Sequence, residues 1–218
     1  MSENIQLDRH KRKFLDFIYT NLTNKKNIKI LEFGVSERGM STELFLELCE
    51  KNQGELISID TNSNSKNFNS EKWTFINTRD DNFSEIEKII KNKKFDVIYL
   101  DTIHKADHVE KILFHYFKYL KNNGLFFVDD TSLLPYLPSR EKNNFSQEIN
   151  NQETFDKILE IYNENHENID LEFSFVGTGI AKIRRLNENG LKNSKKIKFR
   201  RFAIKNFLRK IYKIIFKL

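Results

Sequence analysis

Acidic side chains recur where short apolar segments of this sequence end. Each segment has the length and composition of a buried β-strand, and an acid ends it or follows it within a few residues. The acids are Glu32, Asp60, Asp80 with Asp81, Asp101, and the neighbours Asp129 and Asp130. In a doubly wound α/β sheet, the ligand binds beyond the carboxyl ends of the strands. The pattern therefore predicts an acidic ligand-binding site along one edge of a sheet.

The first of these acids opens a glycine-containing turn. Residues 28–42 read IKILEFGVSERGMST, in which Gly34 lets the backbone turn tightly and Ser41 or Thr42 can cap the next helix. The G-x-G-x-x-G pattern of dinucleotide-binding folds is missing from this turn. An acid before the first glycine instead suits a ligand with a cationic or amino-acid end, such as S-adenosylmethionine. We therefore predict that Glu32, Gly34, Gly39 and Ser41 contact a cofactor, although such turns also occur as plain strand-to-helix connections.

Two further acids fit a nucleoside. Asp60 ends the segment LISID, where an acceptor-only carboxylate can take both hydroxyl hydrogens of a ribose, as NAD and S-adenosylmethionine both require. The alternative for Asp60 is to cap the turn that follows it. Asp80 is placed to accept a hydrogen bond from the adenine amino group, with the N-cap of the next helix as its alternative.

Three acids are predicted to lie side by side at the ends of the fourth and fifth strands. These strands are expected to be neighbours, which brings Asp101, Asp129 and Asp130 together. Carboxylates repel unless a positive charge lies among them, and a divalent cation such as Mg²⁺ prefers oxygen ligands. Such an ion would hold a substrate hydroxyl and lower its pKa. Alternatively, one acid binds the amino group of the cofactor and the others cap turns or face solvent.

His104 follows the fourth strand by a few residues and is expected at the mouth of the site. It is a candidate general base, metal ligand or orienting group, and the plain alternative is a hydrogen-bonding loop residue. His104, Asp101 and Asp130 form the predicted catalytic group.

Hydrophobic periodicity predicts the elements that position these residues. A helix is expected over 8–22, and alternating strands and helices follow it, as in a mostly parallel sheet covered on both faces. A hairpin around Gly177 and Thr178 closes the sheet with an antiparallel strand. Strands are predicted at 28–33, 55–60, 73–77, 95–101, 124–129, 169–176 and 179–185, and helices at 41–51, 83–92, 106–121 and 152–166, with an unassigned polar loop at 131–151.

Length and composition limit the number of domains and the class of protein. The 218 residues, 39% of them hydrophobic, suit one domain over 28–190, an N-terminal helix within 1–27 and a tail over 191–218. The lone Cys49 excludes a disulfide framework and a cysteine zinc site. Residues 1–27 lack the apolar core of a secretory signal, and no segment has the roughly 18–20 consecutive apolar residues of a membrane span. A cytoplasmic protein is predicted.

Basic charge is concentrated in the tail. Residues 195–218 hold ten Lys or Arg and no acid, which leaves 27 basic against 31 acidic side chains in residues 1–194. From 199 to 218, helical spacing places apolar side chains on one face and cations on the other. Such a helix suits an anionic membrane surface, here the inner face of the membrane. The alternatives are packing on the domain or on a partner subunit, and nucleic acid, for which the sequence offers no stacking or groove-reading feature.

The ordered motifs resemble those of class I S-adenosylmethionine-dependent methyltransferases, in particular the bacterial branch similar to macrocin O-methyltransferases and cephalosporin-hydroxylase-like proteins. The resemblance extends over roughly residues 28–185 and includes LEFGVSERGMST, ISID, TRDDNF, FDVIYLDTIHKADHV, KYLKNNGLFFVDDT and GTGIAKIRR. Two positions depart from the family pattern. Thr102 stands where the family usually has glycine, and the cofactor loop is one residue longer, with Arg38 before Gly39.

The resemblance implies a function for each site residue. Glu32, Gly34 and Asp60 would hold S-adenosylmethionine and Asp80 would approach its adenine, and the acids at 101, 129 and 130 match those that bind a divalent cation in metal-dependent members. His104 matches a histidine common after the fourth-strand acid.

The expected reaction is methylation of a hydroxyl on a small-molecule or glycan-linked substrate. The competing hypothesis is a non-catalytic module of the same fold that docks on a membrane or an assembly through its basic tail. An NAD-dependent oxidoreductase is disfavoured because neither G-x-G-x-x-G nor a Tyr-x-x-x-Lys pair is evident. The oligomeric state is left open by the sequence.

Overall fold

A computed structural model describes residues 11–35, 39–62, 68–134, 141–198 and 204–216. Seven strands form one sheet in the order β3-β2-β1-β4-β5-β7-β6. Strands β1 to β5 are parallel, and β7 runs antiparallel to both β5 and β6. The predicted mostly parallel seven-stranded sheet is confirmed. The strands are β1 Lys29–Phe33, β2 Glu55–Asp60, β3 Trp73–Asn77, β4 Phe95–Leu100, β5 Leu120–Asp129, β6 Ile169–Ser174 and β7 Ile180–Arg185.

Helices cover both faces of the sheet. Alternate residues of each central strand face opposite sides, so Ile30 and Val97 pack into one core and Leu31 and Ile98 into the other. Helices α1 and α2 cover the first face, and α3, α4 and α5 cover the second. The helices are α1 (11–17), α2 Met40–Lys51, α3 Phe83–Ile90, α4 Ala106–Tyr116, α5 Glu141–Asn165 and α6 Ile204–Ile215, with 3₁₀ turns at Tyr19–Asn21 and Phe117–Tyr119.

The N-terminal helix is an integral part of one core. Phe14, Ile18 and Leu22 are completely buried against the sheet. The ring of Phe14 packs edge-on against Phe45 and Tyr99, with centroid distances of 5.0 and 5.8 Å. Such aromatic pairs fix the position of a helix as well as burying apolar area. Helix α1 is therefore held at a defined position over β4.

Helix α5 is longer than predicted. It begins at Glu141, so eleven residues that the sequence left in a polar loop, 141–151, are helical. The first half of the helix has few apolar residues, and within it Asn151 makes a tertiary contact. Asn151 is buried. With its side-chain amide oriented to satisfy both groups, its nitrogen donates to the backbone carbonyl oxygens of Gln147 and Asp130 at 2.9 and 3.1 Å. Tertiary context overrides weak local propensity here.

Three smaller boundaries also differ. Helix α4 ends at Tyr116 instead of continuing to 121, and β5 begins four residues early, at Leu120. The hairpin between β6 and β7 has five connecting residues, 175–179, because β6 ends at Ser174.

The tail contains helix α6, and the ends of the predicted segment, 199–203 and 217–218, lie outside the described residues. Across the described part of the chain, the helices fall short of the combined length and apolarity that crossing a bilayer demands.

Candidate active site

A cavity of about 320 Å³ opens at the carboxyl edge of β1, β2, β3 and β4. Its lining includes four of the predicted cofactor contacts, namely Gly34, Asp60, Asp80 and Asp101. Parallel strands that end at one level bring these residues together although they are far apart in sequence. The cavity lies at the edge of the sheet where the strand-end acids predict a ligand-binding site.

Gly34 is confined by backbone on both sides. It has φ +96°, and a Cβ at this position would lie 1.9 Å from the carbonyl oxygen of Asp101. The Gly34 amide donates to the carbonyl oxygen of Ile59 at 2.9 Å, and the Asp101 amide donates to that of Phe33 at 2.8 Å. Both the backbone conformation and the close approach require glycine.

Asp60 clamps two turns at the cavity wall. Its Oδ2 accepts a hydrogen bond from the Val35 amide at 2.6 Å, and its Oδ1 accepts one from the Asn62 amide at 2.8 Å. The turn-capping alternative is therefore realised, and it does not exclude ligand binding, because each carboxylate oxygen has a second lone pair. These remaining lone pairs suit the two hydroxyl donors of a ribose.

Asp80 is held by two side chains, and only 5% of it is exposed. Its Oδ2 accepts from the hydroxyl of Thr102 and contacts Nε2 of His108 at 2.7 Å. Thr102 thus has a defined structural partner at the position where the family usually has glycine. Asn82, not Asp80, occupies the N-cap of α3, so the alternative helix-capping role is wrong.

Glu32 and Ser41 differ from their predicted positions, because neither lines the cavity. Glu32 is completely buried beneath the turn, where it accepts hydrogen bonds from the hydroxyls of Ser41, Thr42 and Ser58 at 2.7, 2.9 and 2.6 Å. These contacts tie β1 to β2 and to the start of α2. In this structure Glu32 fixes these elements through the three hydroxyls. Its contact with a cofactor stays a prediction.

Burial dominates the titration of Glu32. It raises the pKa of the carboxyl from 4.5 to about 7, even though the three hydroxyl donors favour the ionised form and lower it.

Gly39, with φ +55°, immediately precedes α2, while Arg38 lies outside the described residues. A contact of Gly39 with the cofactor stays a prediction.

The predicted catalytic residues lie together beside the cavity, at the side called its mouth here: Asp101 lines the cavity, and His104 and Asp130 adjoin Asp101 without lining it. Nε2 of His104 lies 3.4 Å from Oδ1 of Asp101 and 3.5 Å from Oδ2 of Asp130. All three side chains remain a quarter to a third exposed, so a substrate can reach them. Burial raises the pKa of Asp101, as does the charge of Asp129, although solvent at the mouth screens part of this effect.

Asp129 is the acid that departs from the expectation. It is buried and forms an ion pair with the ammonium of Lys13 on α1. Its other oxygen, Oδ2, accepts from the Tyr99 hydroxyl at 2.9 Å. Lys13 was not predicted as a site residue. Its position beside Phe14 on the buried face of α1 nevertheless indicates an acidic partner, because an unpaired lysine is almost never fully buried.

The acids do not form the predicted Mg²⁺ site. Both oxygens of Asp129 are engaged by groups of the protein, so it does not face an open position shared with Asp101 and Asp130. Within residues 11–35, 39–62, 68–134, 141–198 and 204–216, no three acid, histidine or cysteine side chains are arranged to hold a metal ion. The predicted ligand set of Asp101, Asp129 and Asp130 is therefore corrected.

Known proteins share this fold. Residues 31–131 match a family model described as a methyltransferase domain. Over these residues the chain is similar to methyltransferase domains. This agrees with the class I S-adenosylmethionine-dependent methyltransferase resemblance read from the motifs, which is confirmed. No curated protein matches the chain at the level of sequence.

Three examples illustrate the solved structures that are similar to this chain. The Podospora anserina methyltransferase PaMTH1, bound to S-adenosylhomocysteine, has 17% identity and a TM-score of 0.60 over 78% of this chain and 76% of its own. MycE, from the mycinamycin biosynthetic pathway and in complex with Mg and S-adenosylhomocysteine, has 16% identity and a TM-score of 0.57 over 84% of this chain. A candidate caffeoyl-CoA O-methyltransferase from Staphylococcus aureus has 16% identity and a TM-score of 0.55 over 84% of this chain and 98% of its own.

The chain spans about half the length of the MycE structure, 50% of which is matched. At these identities the likeness is one of fold.

Replacing Gly34 with alanine tests the cavity wall. We expect Gly34→Ala to abolish measurable binding of S-adenosylhomocysteine in calorimetry and to lower the free energy of unfolding by about 1–3 kcal/mol, because the new Cβ collides with backbone at a strained φ. Gly177→Ala is the matched control, since φ is +63° there and nothing lies within 4 Å of the added Cβ. Equal binding of S-adenosylhomocysteine by both variants would contradict the assignment of Gly34 to the wall of the cofactor cavity.

The raised pKa of Glu32 predicts the direction of a pH effect. The folded state holds this proton to higher pH than the unfolded chain, so stability falls as pH rises from 4.5 to about 7. Urea unfolding of Glu32→Gln should show a smaller fall, by at most about 3 kcal/mol, while the exposed control Glu167→Gln should follow the wild type. An identical fall in Glu32→Gln would show that Glu32 titrates normally.

Proposed function

We propose that this chain transfers the methyl group of S-adenosylmethionine to a hydroxyl of a small-molecule or glycan-linked acceptor. The observation that carries the proposal is the position of His104, whose Nε2 lies within 3.5 Å of two carboxylates at the mouth of a cavity with nucleoside-binding features. A general base must reach both solvent and the reacting centre. The position of His104 at the mouth meets this requirement.

The cavity wall supports the cofactor assignment. Asp60 offers carboxylate lone pairs to ribose hydroxyls, and Asp80, held by Thr102 and His108, offers its carboxylate to the adenine amino group. Gly34 keeps the wall free of side-chain atoms where the turn after β1 passes β4. The chemistry of this set fits S-adenosylmethionine.

Bound S-adenosylmethionine supplies an electrophilic methyl group on a sulfonium whose departure leaves a neutral thioether. The acceptor oxygen forms the new bond to carbon as the carbon–sulfur bond breaks, and the hydroxyl proton leaves. His104 receives that proton in the proposed reaction. Asp101 and Asp130 stabilise the imidazolium that forms, because both carboxylates face the same ring nitrogen.

The surroundings of His104 favour an acceptor with an apolar part. Ile103, which precedes His104 and lines the cavity, remains 37% exposed. Among similar structures, MycE has been solved with Mg, S-adenosylhomocysteine and mycinamycin VI, with a TM-score of 0.55. A small molecule with a free hydroxyl is therefore the first class of acceptor to test.

Removing the proposed base separates binding from chemistry. His104→Ala should lower the rate of methyl transfer by roughly 100- to 10,000-fold and leave S-adenosylhomocysteine binding close to that of the wild type. The assay measures radiolabelled methyl transfer from S-adenosylmethionine to a panel of hydroxyl acceptors, including glycan fragments. His166→Ala, which changes an exposed histidine away from the cavity, is the control. Full activity of His104→Ala would rule out its role as base.

We further propose that the tail places this enzyme on an anionic membrane surface. Helix α6 exposes its apolar side chains, with Ile204 80% and Phe207 64% exposed. The opposite face carries Lys205, Arg209, Lys210 and Lys213, and residues 204–216 contain no acid. Four cations near such a surface contribute about 4 kcal/mol. Apolar insertion and charge attraction thus act together, as in interfacial helices.

Vesicle sedimentation tests the tail. Deleting residues 195–218 should remove binding to vesicles that contain anionic lipid, and neutral vesicles should bind the intact protein weakly. Changing Lys205, Arg209 and Lys213 to glutamine should weaken binding by roughly 100-fold, since each cation contributes about 1 kcal/mol. Unchanged sedimentation after the deletion would exclude the membrane and favour packing of the tail on protein.

A further inference from the structure

Lys13 is the buried cation beneath the acidic mouth of the site. Its side chain and that of Asp129 are each 1% exposed, and the two form an ion pair. Nζ of Lys13 also donates to the hydroxyl of Thr178 at 3.0 Å. The Asp130 amide donates to Oδ1 of Asp129 at 2.8 Å, which links this pair directly to the mouth.

Charge balance requires a cation at this place. Asp101, Asp129 and Asp130 converge at the ends of β4 and β5, and buried carboxylates are costly without a compensating charge. His104 faces Asp101 and Asp130 from the mouth. The ammonium of Lys13 compensates the third acid, Asp129, from below. A divalent ion would have to enter next to this ammonium, against its positive charge.

The position of Lys13 is fixed by its neighbours in the core. Phe14 packs against Phe45 and Tyr99, and Ile18 is buried one turn after Phe14, just past the end of α1. Tyr99 in turn donates to Asp129. The ammonium therefore cannot leave Asp129 without moving the packed helix, which would expose apolar surface.

We propose that Lys13 is the resident cation of this site, in place of a divalent metal ion, and that methyl transfer by this chain needs no divalent metal. Lys13 is a positioning residue, because it acts through Asp129 and does not line the cavity. The reaction part rests on the proposed function, whereas the replacement of a metal ion by Lys13 does not. In this arrangement the acceptor proton goes to His104, since no metal-held alkoxide forms.

Manganese binding tests the proposal on the full chain. Mn²⁺ is titrated into the protein, with and without S-adenosylhomocysteine, and free Mn²⁺ is measured by electron paramagnetic resonance. We expect the wild type to show no saturable site. Lys13→Met removes the charge while keeping a side chain of similar length, and it should gain one Mn²⁺ site that is lost again when Asp130→Asn is added. Lys11→Met, an exposed position on the same helix, removes the same charge and should bind no Mn²⁺.

Two results would overturn the proposal. One is saturable Mn²⁺ binding by the wild type that Asp130→Asn removes, a test that does not depend on Lys13→Met folding. The other is a folded Lys13→Met that gains no site. Calorimetry with S-adenosylhomocysteine on the same wild-type sample keeps the two proposals distinguishable. A wild-type sample that binds neither Mn²⁺ nor S-adenosylhomocysteine contradicts the proposed function, because the cofactor product does not bind. The same result supports the assignment of Lys13, because no Mn²⁺ site is present.

Discussion

The site depends on how negative charge is compensated at the end of a parallel sheet. Neighbouring strands β4 and β5 end at the same edge, so Asp101, Asp129 and Asp130 are forced together by topology. A buried ion pair with Lys13 satisfies the deepest acid, and His104 faces the other two. The N-terminal helix must therefore dock before the mouth of the site has its observed charge distribution.

A second buried acid organises the cofactor side of the same edge. Glu32 gathers three hydroxyl donors from β2 and α2, which fixes the turn that follows β1. Gly34 then passes so close to the Asp101 carbonyl that only a residue without a Cβ fits. The two acids act alike, because each is buried and holds groups from other elements in place. Asp60 and Asp101, by contrast, face the cavity.

Much of this arrangement could be predicted from local patterns. Apolar runs with acids at their ends located the parallel strands, and Asp60, Asp80 and Asp101 line one cavity as expected. Hydrophobic periodicity missed the first turns of α5 because their stability comes from contacts such as that of Asn151 with the Asp130 backbone. The pairing of Lys13 with Asp129 joins residues 116 positions apart, which no local pattern encodes. The sequence also does not show how deeply a side chain is buried. Glu32 and Asp129 were therefore predicted to face a ligand, although both are buried in the structure.

Calorimetry shows whether the cavity binds S-adenosylmethionine through Asp60. We expect saturable binding of S-adenosylmethionine, no binding of NAD, and at least about 10-fold weaker binding by Asp60→Asn, since hydrogen bonds to a charged acceptor contribute about 1.5–3 kcal/mol. Asp170→Asn, on edge strand β6, is the matched control and should bind as the wild type does. Binding of NAD alone, or equal affinity of Asp60→Asn and wild type for S-adenosylmethionine, would contradict the account.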